Sequence, residues 1–175
     1  MVSIGTGAAI ARTFASKGFA VALLARTASK LTSLEAEINQ SGGTAASFPV
    51  DLTQTHALKD TFGLIHAKFP ESTLKVAIFN LTTQWMVKPF LELQEEDFSR
   101  VVYGHIGSAF GFAQLALRDM QKEGGTLIFT GATAATRGSA KFAVLASATT
   151  AVRALRSVYS LHLQPLLFTR ISDFL

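Results

Sequence analysis

The stretch Phe19–Val50, FAVALLARTASKLTSLEAEINQSGGTAASFPV, decides the fold class because it reads as strand, helix and strand. Phe19–Ala25 is a short apolar run typical of a buried β-strand, and Ser29–Gln40 has the amphipathic pattern of a helix. The glycine pair that starts at Gly42 ends this helix, and Ala45–Val50 is a second strand-like run. Two strands joined by a helix form a βαβ unit with parallel strands and a right-handed crossover.

The alternation of helix and strand continues along the rest of the chain. It predicts an α/β fold with a doubly wound parallel sheet between two layers of helices, which is a Rossmann-like three-layer αβα arrangement. No internal repeat or linker interrupts the pattern, so residues 1–175 are expected to form a single domain. Three further helices are expected over Ala8–Ser16, Glu95–Met120 and Ala140–His162. Another helix is expected to follow Thr53, its N-cap, and to run to about Lys68. The further expected strands are Lys75–Phe79, Thr126–Thr130 and, as a candidate, Gln164–Arg170.

Composition excludes several classes of protein. Hydrophobic residues make up 49% and charged residues 16% of the 175 residues, which argues against disorder. The mean hydropathy of +0.33 suits strands that are buried on both faces of a parallel sheet. No apolar stretch reaches the ~20 residues that span a bilayer, and the N-terminus does not have the pattern of a signal peptide. We therefore expect a cytoplasmic protein without membrane contact.

Cysteine and histidine usage argues against a metal site. The chain has no cysteine and only four histidines. These histidines (His56, His66, His105 and His162) do not have the spacing of metal ligands. The net charge of +4 is spread without a basic block, so no nucleic-acid partner is expected, although phosphorylated ligands would be weakly attracted.

The first candidate site feature is Gly5-Thr6-Gly7, which opens a helix. Glycines let backbone N–H groups approach a phosphate, and a helix N-terminus favours negative charge. The alternative is a plain helix start that needs small residues for packing. Arg26 follows the next strand, where the adenosine ribose of a dinucleotide would lie, and its charge suits a 2′-phosphate. The competing interpretation of Arg26 is a solvated side chain at a strand end.

Two more polar residues stand at the ends of predicted strands. Asp51 closes the strand that ends at Val50, and Asn80 follows the strand that ends at Phe79. Open α/β sheets bind ligands at this edge, although Asp51 also suits a helix N-cap and Asn80 a turn. Four such features after successive strands together favour a nucleotide site.

The order of these features resembles the short-chain dehydrogenase/reductase family. Gly5-Thr6-Gly7 is similar to the last two glycines of the family's TGxxxGxG turn, and Asp51 to the aspartate beside the adenine. Asn80 resembles the second asparagine of the NNAG motif, and Ile128–Ala134 the strand that ends at the catalytic serine. The resemblance implies an NADP(H)-dependent oxidoreductase that acts on small apolar carbonyl or alcohol compounds. The implied cofactor-binding residues are Gly5, Thr6, Gly7, Arg26, Asp51 and Asn80.

The same resemblance also locates the family's catalytic Asn, Ser, Tyr and Lys. The run Thr149–Leu155 matches the pattern K-x-A-x-x-x-L, so Thr149 stands at the lysine position and Leu145 at the tyrosine position. Ala132 stands at the serine position, and Gly104 stands at the asparagine position. In the family the Tyr transfers a proton and the Lys lowers its pKa, and none of the four residues here ionises near neutral pH. The catalytic residues of this chain are therefore unassigned.

The family's first strand precedes the glycine turn, whereas this chain begins at Met1-Val2-Ser3, shortly before Gly5. After the last predicted helix, Gln164–Arg170 offers one possible strand where the family has more. The fold is therefore expected to be incomplete at both ends. Because that first strand is central in the order 3-2-1-4, its absence would split the sheet.

Two other functions stay open beside the oxidoreductase. One is a catalytically inactive pseudoenzyme or subunit that forms a homo- or hetero-oligomer with a related protein through apolar residues at Phe110, Phe112 and Leu115. The other is a cofactor-free isomerase or cyclase with an apolar pocket. Its expected lining is Leu81, Trp85, Met86 and Leu145, for which core packing is the competing interpretation. His105 is a candidate general acid or base, or else a structural histidine.

Overall fold

A computed structural model describes residues 5–81, 86–163 and 173–174. The chain forms two compact units, Met1–Ser72 and Thr73–Leu175. The prediction of a single domain is not tested by this division and stays a prediction. In the described residues the strands form two separate parallel sheets, one in each unit.

The first unit contains the predicted βαβ arrangement. Strands β1 (Ala20–Ala25) and β2 (Thr44–Pro49) are parallel, with Ala25 opposite Pro49, and helix α2 (Ala28–Gln40) connects them. After α2 the chain turns at Gly42, whose φ of +82° lies in the left-handed region that favours glycine. The prediction from Phe19–Val50 is confirmed.

Small side chains let the helices of the first unit lie close to its sheet. Helix α1 (Thr6–Ser16) turns Ala8, Ala11 and Ala15 inward, where they pack with Leu23 of β1. Helix α3 (Thr55–Lys68) follows β2 and buries Leu58, Thr61 and Phe62. The other members of the core cluster are Leu31, Leu34, Ile38 and Ala45.

The second unit contains a three-stranded parallel sheet in the order β3-β4-β5. Phe79 of β3 (Val76–Phe79) lies opposite Phe129 of β4 (Thr126–Thr130), and both phenylalanines are 2% exposed. Strand β5 comprises Asp173–Phe174. Helix α4 (Glu95–Met120) begins with three acidic residues, which suit the positive end of its dipole, and it buries one long face. Helix α5 (Ala143–Leu163) packs beside α4.

Several element ends differ from the sequence prediction. The N-cap of α3 is Gln54 rather than Thr53, because the Thr53 hydroxyl donates to Asp51 at 2.8 Å instead of capping the helix. Helix α5 begins at Ala143 rather than Ala140, because Lys141 adopts a left-handed φ of 66°. The candidate strand Gln164–Arg170 lies outside the described residues.

Parallel sheets flanked by helices confirm the predicted α/β class. Within the described ranges, no helix is long and apolar enough to cross a bilayer. The same part of the chain contains no group of His, Cys, Asp or Glu side chains able to hold a metal ion.

Candidate functional site

The topology of the first unit brings three predicted features to one edge of its sheet. Because a short turn reverses the chain between α1 and β1, the N-terminus of α1 lies at the edge where β1 ends. Arg26 is the next residue after β1, and Asp51 lies two residues after β2. Since β1 and β2 are parallel, both side chains follow strand ends at this edge. The glycine turn, Arg26 and Asp51 therefore form one candidate site.

The N-terminus of α1 is exposed, and the described part of the chain leaves open space beside Gly5. Gly5 is the N-cap, and its carbonyl accepts hydrogen bonds from the N–H groups of Ala8 at 3.0 Å and Ala9 at 3.2 Å. The N–H groups of Thr6 and Gly7 precede these bonds, so the helix itself offers them no acceptor. A Cβ added at Gly5 would meet no atom of the described structure within 4 Å. Packing within the described structure therefore does not require a glycine here.

Asp51 is fixed as a carboxylate by its neighbour Thr53. Its Oδ1 accepts hydrogen bonds from the Thr53 backbone N–H at 3.0 Å and from the Thr53 hydroxyl at 2.8 Å. These two bonds hold the pKa of Asp51 below its ordinary value, partial burial opposes them, and the charge of Arg26 lowers the pKa further. Arg26 is exposed, so it remains accessible to an anion from solvent.

The second unit carries the remaining predicted residues. Asn80 follows β3 and is half-buried, and Gly131 and Ala132 follow β4 at the same edge of this sheet. Beneath this edge lies a cavity of about 130 Å³. Of the four positions that the sequence resemblance assigns to the family's catalytic residues, Ala132 and Thr149 line the cavity, whereas Gly104 and Leu145 are not among its lining residues. The full lining is His105, Phe129, Thr130, Gly131, Ala132, Ala135, Thr136, Thr149, Val152, Arg153 and Arg156.

Thr149 offers this cavity a hydroxyl oxygen but no ionisable group. Its Oγ1 donates to the carbonyl of Leu145 at 2.7 Å, one turn earlier in α5. Because the hydroxyl proton forms this hydrogen bond, the Thr149 oxygen can offer a ligand only an acceptor. Ala132 contributes no polar side chain. These two residues cannot carry out the proton transfer that the family assigns to its Tyr and Lys.

His105 is the titratable side chain that the fold buries beside this cavity. It is 7% exposed, and within the described part of the chain its Nδ1 has no hydrogen-bond partner. Burial lowers the pKa of His105 to about 4, so the ring is neutral at pH 7. The sequence left open whether His105 is structural or catalytic, and the structure places it in the lining of the cavity. Its neighbour Gly104, which the resemblance assigns to the family's Asn, is not among the lining residues.

Two lining residues, Arg153 and Arg156, were not predicted from the sequence. The available signal was their spacing, since Thr149, Arg153 and Arg156 recur at intervals of four and three along one face of α5.

The predicted apolar surface needs a correction, because Phe112 is 8% exposed and packs on Phe79 whereas Phe110 is 45% exposed. Phe112 sits on the inner face of α4, two positions from Phe110.

The predicted cofactor-free pocket is only partly within the described structure. Met86 packs against a core cluster that includes Val101 and Val144, which supports the competing interpretation of core packing. Trp85 lies outside the described residues, and Leu145 is half-buried.

Comparison with known proteins identifies the family. Residues 2–166 match the model of the short chain dehydrogenase family. A 3beta-hydroxysteroid dehydrogenase of Mediterraneibacter gnavus is 26% identical over 134 residues, which are 77% of this chain and 48% of that protein. The chain therefore spans about half the length of this curated relative.

Solved structures share the fold. A short-chain dehydrogenase from Rhodopseudomonas palustris is 29% identical with a TM-score of 0.80, and the match covers 98% of this chain and 80% of that one. A metagenomic short-chain oxidoreductase in complex with NADP is 23% identical with a TM-score of 0.84, covering 97% and 75% of the two chains. These similarities confirm the predicted Rossmann-like fold. Because the family model matches nearly the whole sequence, this chain belongs to the short-chain dehydrogenase family.

Proposed function

We propose that this chain binds NADP(H) at the carboxyl edge of its first unit and belongs functionally to the oxidoreductases that act on small alcohol or carbonyl compounds. The observation that carries the proposal is the position of Arg26, exposed and directly after β1, at the edge shared with Asp51 and the start of α1. The substrate class comes from the family resemblance, and a cytoplasmic location stays a prediction from composition.

The residues at this edge fit the phosphate and adenosine part of the cofactor. The first N–H groups of α1 suit a pyrophosphate, and a helix N-terminus favours its negative charge. The Arg26 guanidinium suits the 2′-phosphate, which distinguishes NADP(H) from NAD(H). Asp51 is an acceptor for an adenine amino group. Asn80 lies in the second unit, and its role as a cofactor contact stays a prediction from the sequence.

Bound NADPH would supply a hydride to a carbonyl carbon, but the chain offers little help with the proton. Leu145 and Thr149 replace the family's Tyr and Lys, and general acid–base catalysis is typically worth about 10²- to 10⁴-fold in rate. We therefore propose that turnover by the family's usual mechanism is slower by about that factor.

Thermal unfolding of the full chain with NADP(H) and with NAD(H) tests the proposal. A ligand at about 100 times its Kd stabilises a protein by about 2.7 kcal/mol, which raises the Tm of a chain this size by about 5–10 °C. We expect that increase with NADP(H), a smaller one with NAD(H), and a loss of the difference in Arg26→Gln. Lys17→Gln is the matched control, because Lys17 is an exposed cation at the opposite end of α1. An unchanged Tm with both nucleotides would contradict the proposal.

A second candidate function, a catalytically inactive subunit, is favoured by exposed apolar side chains of the second unit. Tyr103 and Phe110 on α4 are 70% and 45% exposed, and Val158 on α5 is 61% exposed. Light scattering of the purified chain measures its oligomeric state. A dimer that Phe110→Glu dissociates, together with no nucleotide effect, would favour this candidate over the oxidoreductase.

A further inference from the structure

The cavity of the second unit has features that neither the family resemblance nor the proposed cofactor uses. Its lining includes the buried His105 and two arginines, Arg153 and Arg156, and the described lining includes no Asp or Glu. The sequence explains this imbalance, because between Glu123 and Asp173 the chain has no acidic residue. The cationic residues in that interval are Arg137, Lys141, Arg153, Arg156 and Arg170.

His105 is a buried polar group that needs a partner at this cavity. It is more than nine-tenths buried, and no atom of the described structure bonds its Nδ1. Buried polar side chains in native proteins nearly always have a hydrogen-bond partner, and each exception calls for an explanation such as a bound molecule. A ligand oxygen in the cavity would provide that partner.

The arginines supply the charge that such an oxygen would carry. Arg156 already takes part in an interaction of its own, so the inference rests mainly on Arg153. Arg153 lines the cavity and is exposed, so its charge is accessible to an anion that enters from solvent. The planar guanidinium fork matches the geometry of a carboxylate, with which it forms paired hydrogen bonds.

We propose that this cavity binds a small monocarboxylate, whose oxygen atoms contact Nδ1 of His105 and the guanidinium of Arg153. The volume of about 130 Å³ is close to the ~150 Å³ of a cavity that holds a benzene-sized molecule. Phe129, Ala135 and Val152 line the rest of the cavity and suit a short hydrocarbon tail. This tail favours a carboxylate over inorganic phosphate. The site lies wholly in the second unit, so the inference does not depend on nucleotide binding.

The probe is isobutyrate, compared with isobutyramide, a neutral molecule of the same shape. Binding to the full chain is followed by thermal unfolding and by NMR of the His105 ring, whose signal is identified by its loss in His105→Gln. We expect saturation by isobutyrate at roughly millimolar concentration, as small ligands of this size bind. Binding of isobutyramide is expected to be weaker by about tenfold or more. The bound carboxylate is also expected to raise the pKa of His105, because it favours the charged ring.

Variants locate the site. Arg153→Gln is expected to weaken isobutyrate binding by about tenfold or more, which corresponds to losing a charge-assisted hydrogen bond. Arg137→Gln is the matched control, because Arg137 is an exposed cation of the same unit outside the cavity lining. Arg153 is exposed, so its variant tests the proposal even where His105→Gln disturbs the core.

Three outcomes would overturn the proposal. Equal binding of isobutyrate and isobutyramide would show that charge is not recognised. Equal effects of Arg153→Gln and Arg137→Gln would place the anion elsewhere. Binding of inorganic phosphate but not isobutyrate would identify a different ligand class. Arg26→Gln is expected to leave isobutyrate binding unchanged. Failure of the carboxylate proposal is therefore distinguishable from failure of the nucleotide proposal.

Discussion

The rings of Phe79 and His105 lie with their centroids 5.7 Å apart and tilted by 55°, which joins the end of β3 to the buried face of α4. The centroid of the Phe79 ring also lies 5.6 Å from that of Phe112 and 5.8 Å from that of Phe129, so Phe79 links His105 to an aromatic cluster. An imidazole in such surroundings is costly to protonate, because burial disfavours the charged ring and its Nδ1 has no hydrogen-bond partner in the described structure.

This burial predicts a pH dependence of stability. The pKa of His105 is lowered from 6.5 to about 4, so the unfolded chain takes up a proton before the folded chain does. The contribution is fully present above pH 6.5 and is lost as the pH falls to about 4. The difference in pKa corresponds to roughly 3 kcal/mol of unfolding free energy.

Denaturant unfolding at pH values from 8 to 4 measures this effect. His105→Gln is expected to flatten the dependence in that window, whereas His56→Gln, which changes an exposed histidine on α3, is expected to leave it unchanged. An equally steep dependence in His105→Gln would contradict the prediction.

Two glycine substitutions are expected to have opposite effects on stability. A Cβ at Gly43 would lie 2.8 Å from Ile38 Cγ2 and 3.1 Å from Ala15 Cβ, so Gly43→Ala forces the α1–α2 packing apart. We expect a loss of about 1–3 kcal/mol. A Cβ at Gly63, within α3, meets nothing within 4 Å. Gly63→Ala should therefore gain about 0.5–1 kcal/mol from helix propensity, and thermal unfolding of both variants checks the signs.

Gly5→Ala separates a ligand requirement from a folding requirement. The φ of −84° and ψ of 161° at Gly5 suit alanine, and the added Cβ has open space in the described structure. We expect a stability change within about 1 kcal/mol, as for other weak N-caps. NADP(H) binding should nevertheless fall by at least about tenfold, because the methyl group blocks close approach of a phosphate to the N–H groups. Unchanged affinity would argue against a phosphate at this turn.

Introducing Tyr and Lys at the two positions of α5 that the resemblance assigns to them tests why turnover is expected to be slow. Leu145 and Thr149 are four residues apart on one helix, the spacing that places side chains on the same face. Leu145→Tyr combined with Thr149→Lys is expected to raise NADPH-dependent reduction of small ketones by about 10²-fold or more. Thr149→Lys alone is the control, since it supplies the cation without the proton donor. No gain in the double variant would place the defect elsewhere.

The sequence by itself determined the α/β class and one edge of the candidate site. The periodicity of Phe19–Val50 requires a strand, a helix and a strand, and parallel strands necessarily end at the same edge of a sheet. Arg26 and Asp51 could therefore be placed near each other before any coordinates. These features depend on local spacing, which a sequence shows directly.

The tertiary structure alone decided which residues meet at the cavity. His105 and Arg153 are 48 positions apart in the sequence, and only the packing of α4 beside α5 brings both to one wall. The same packing buries Phe112 and leaves Phe110 exposed, although both are phenylalanines on one helix. Which face of a helix turns inward depends on the partners that cover it, and these partners come from distant parts of the chain.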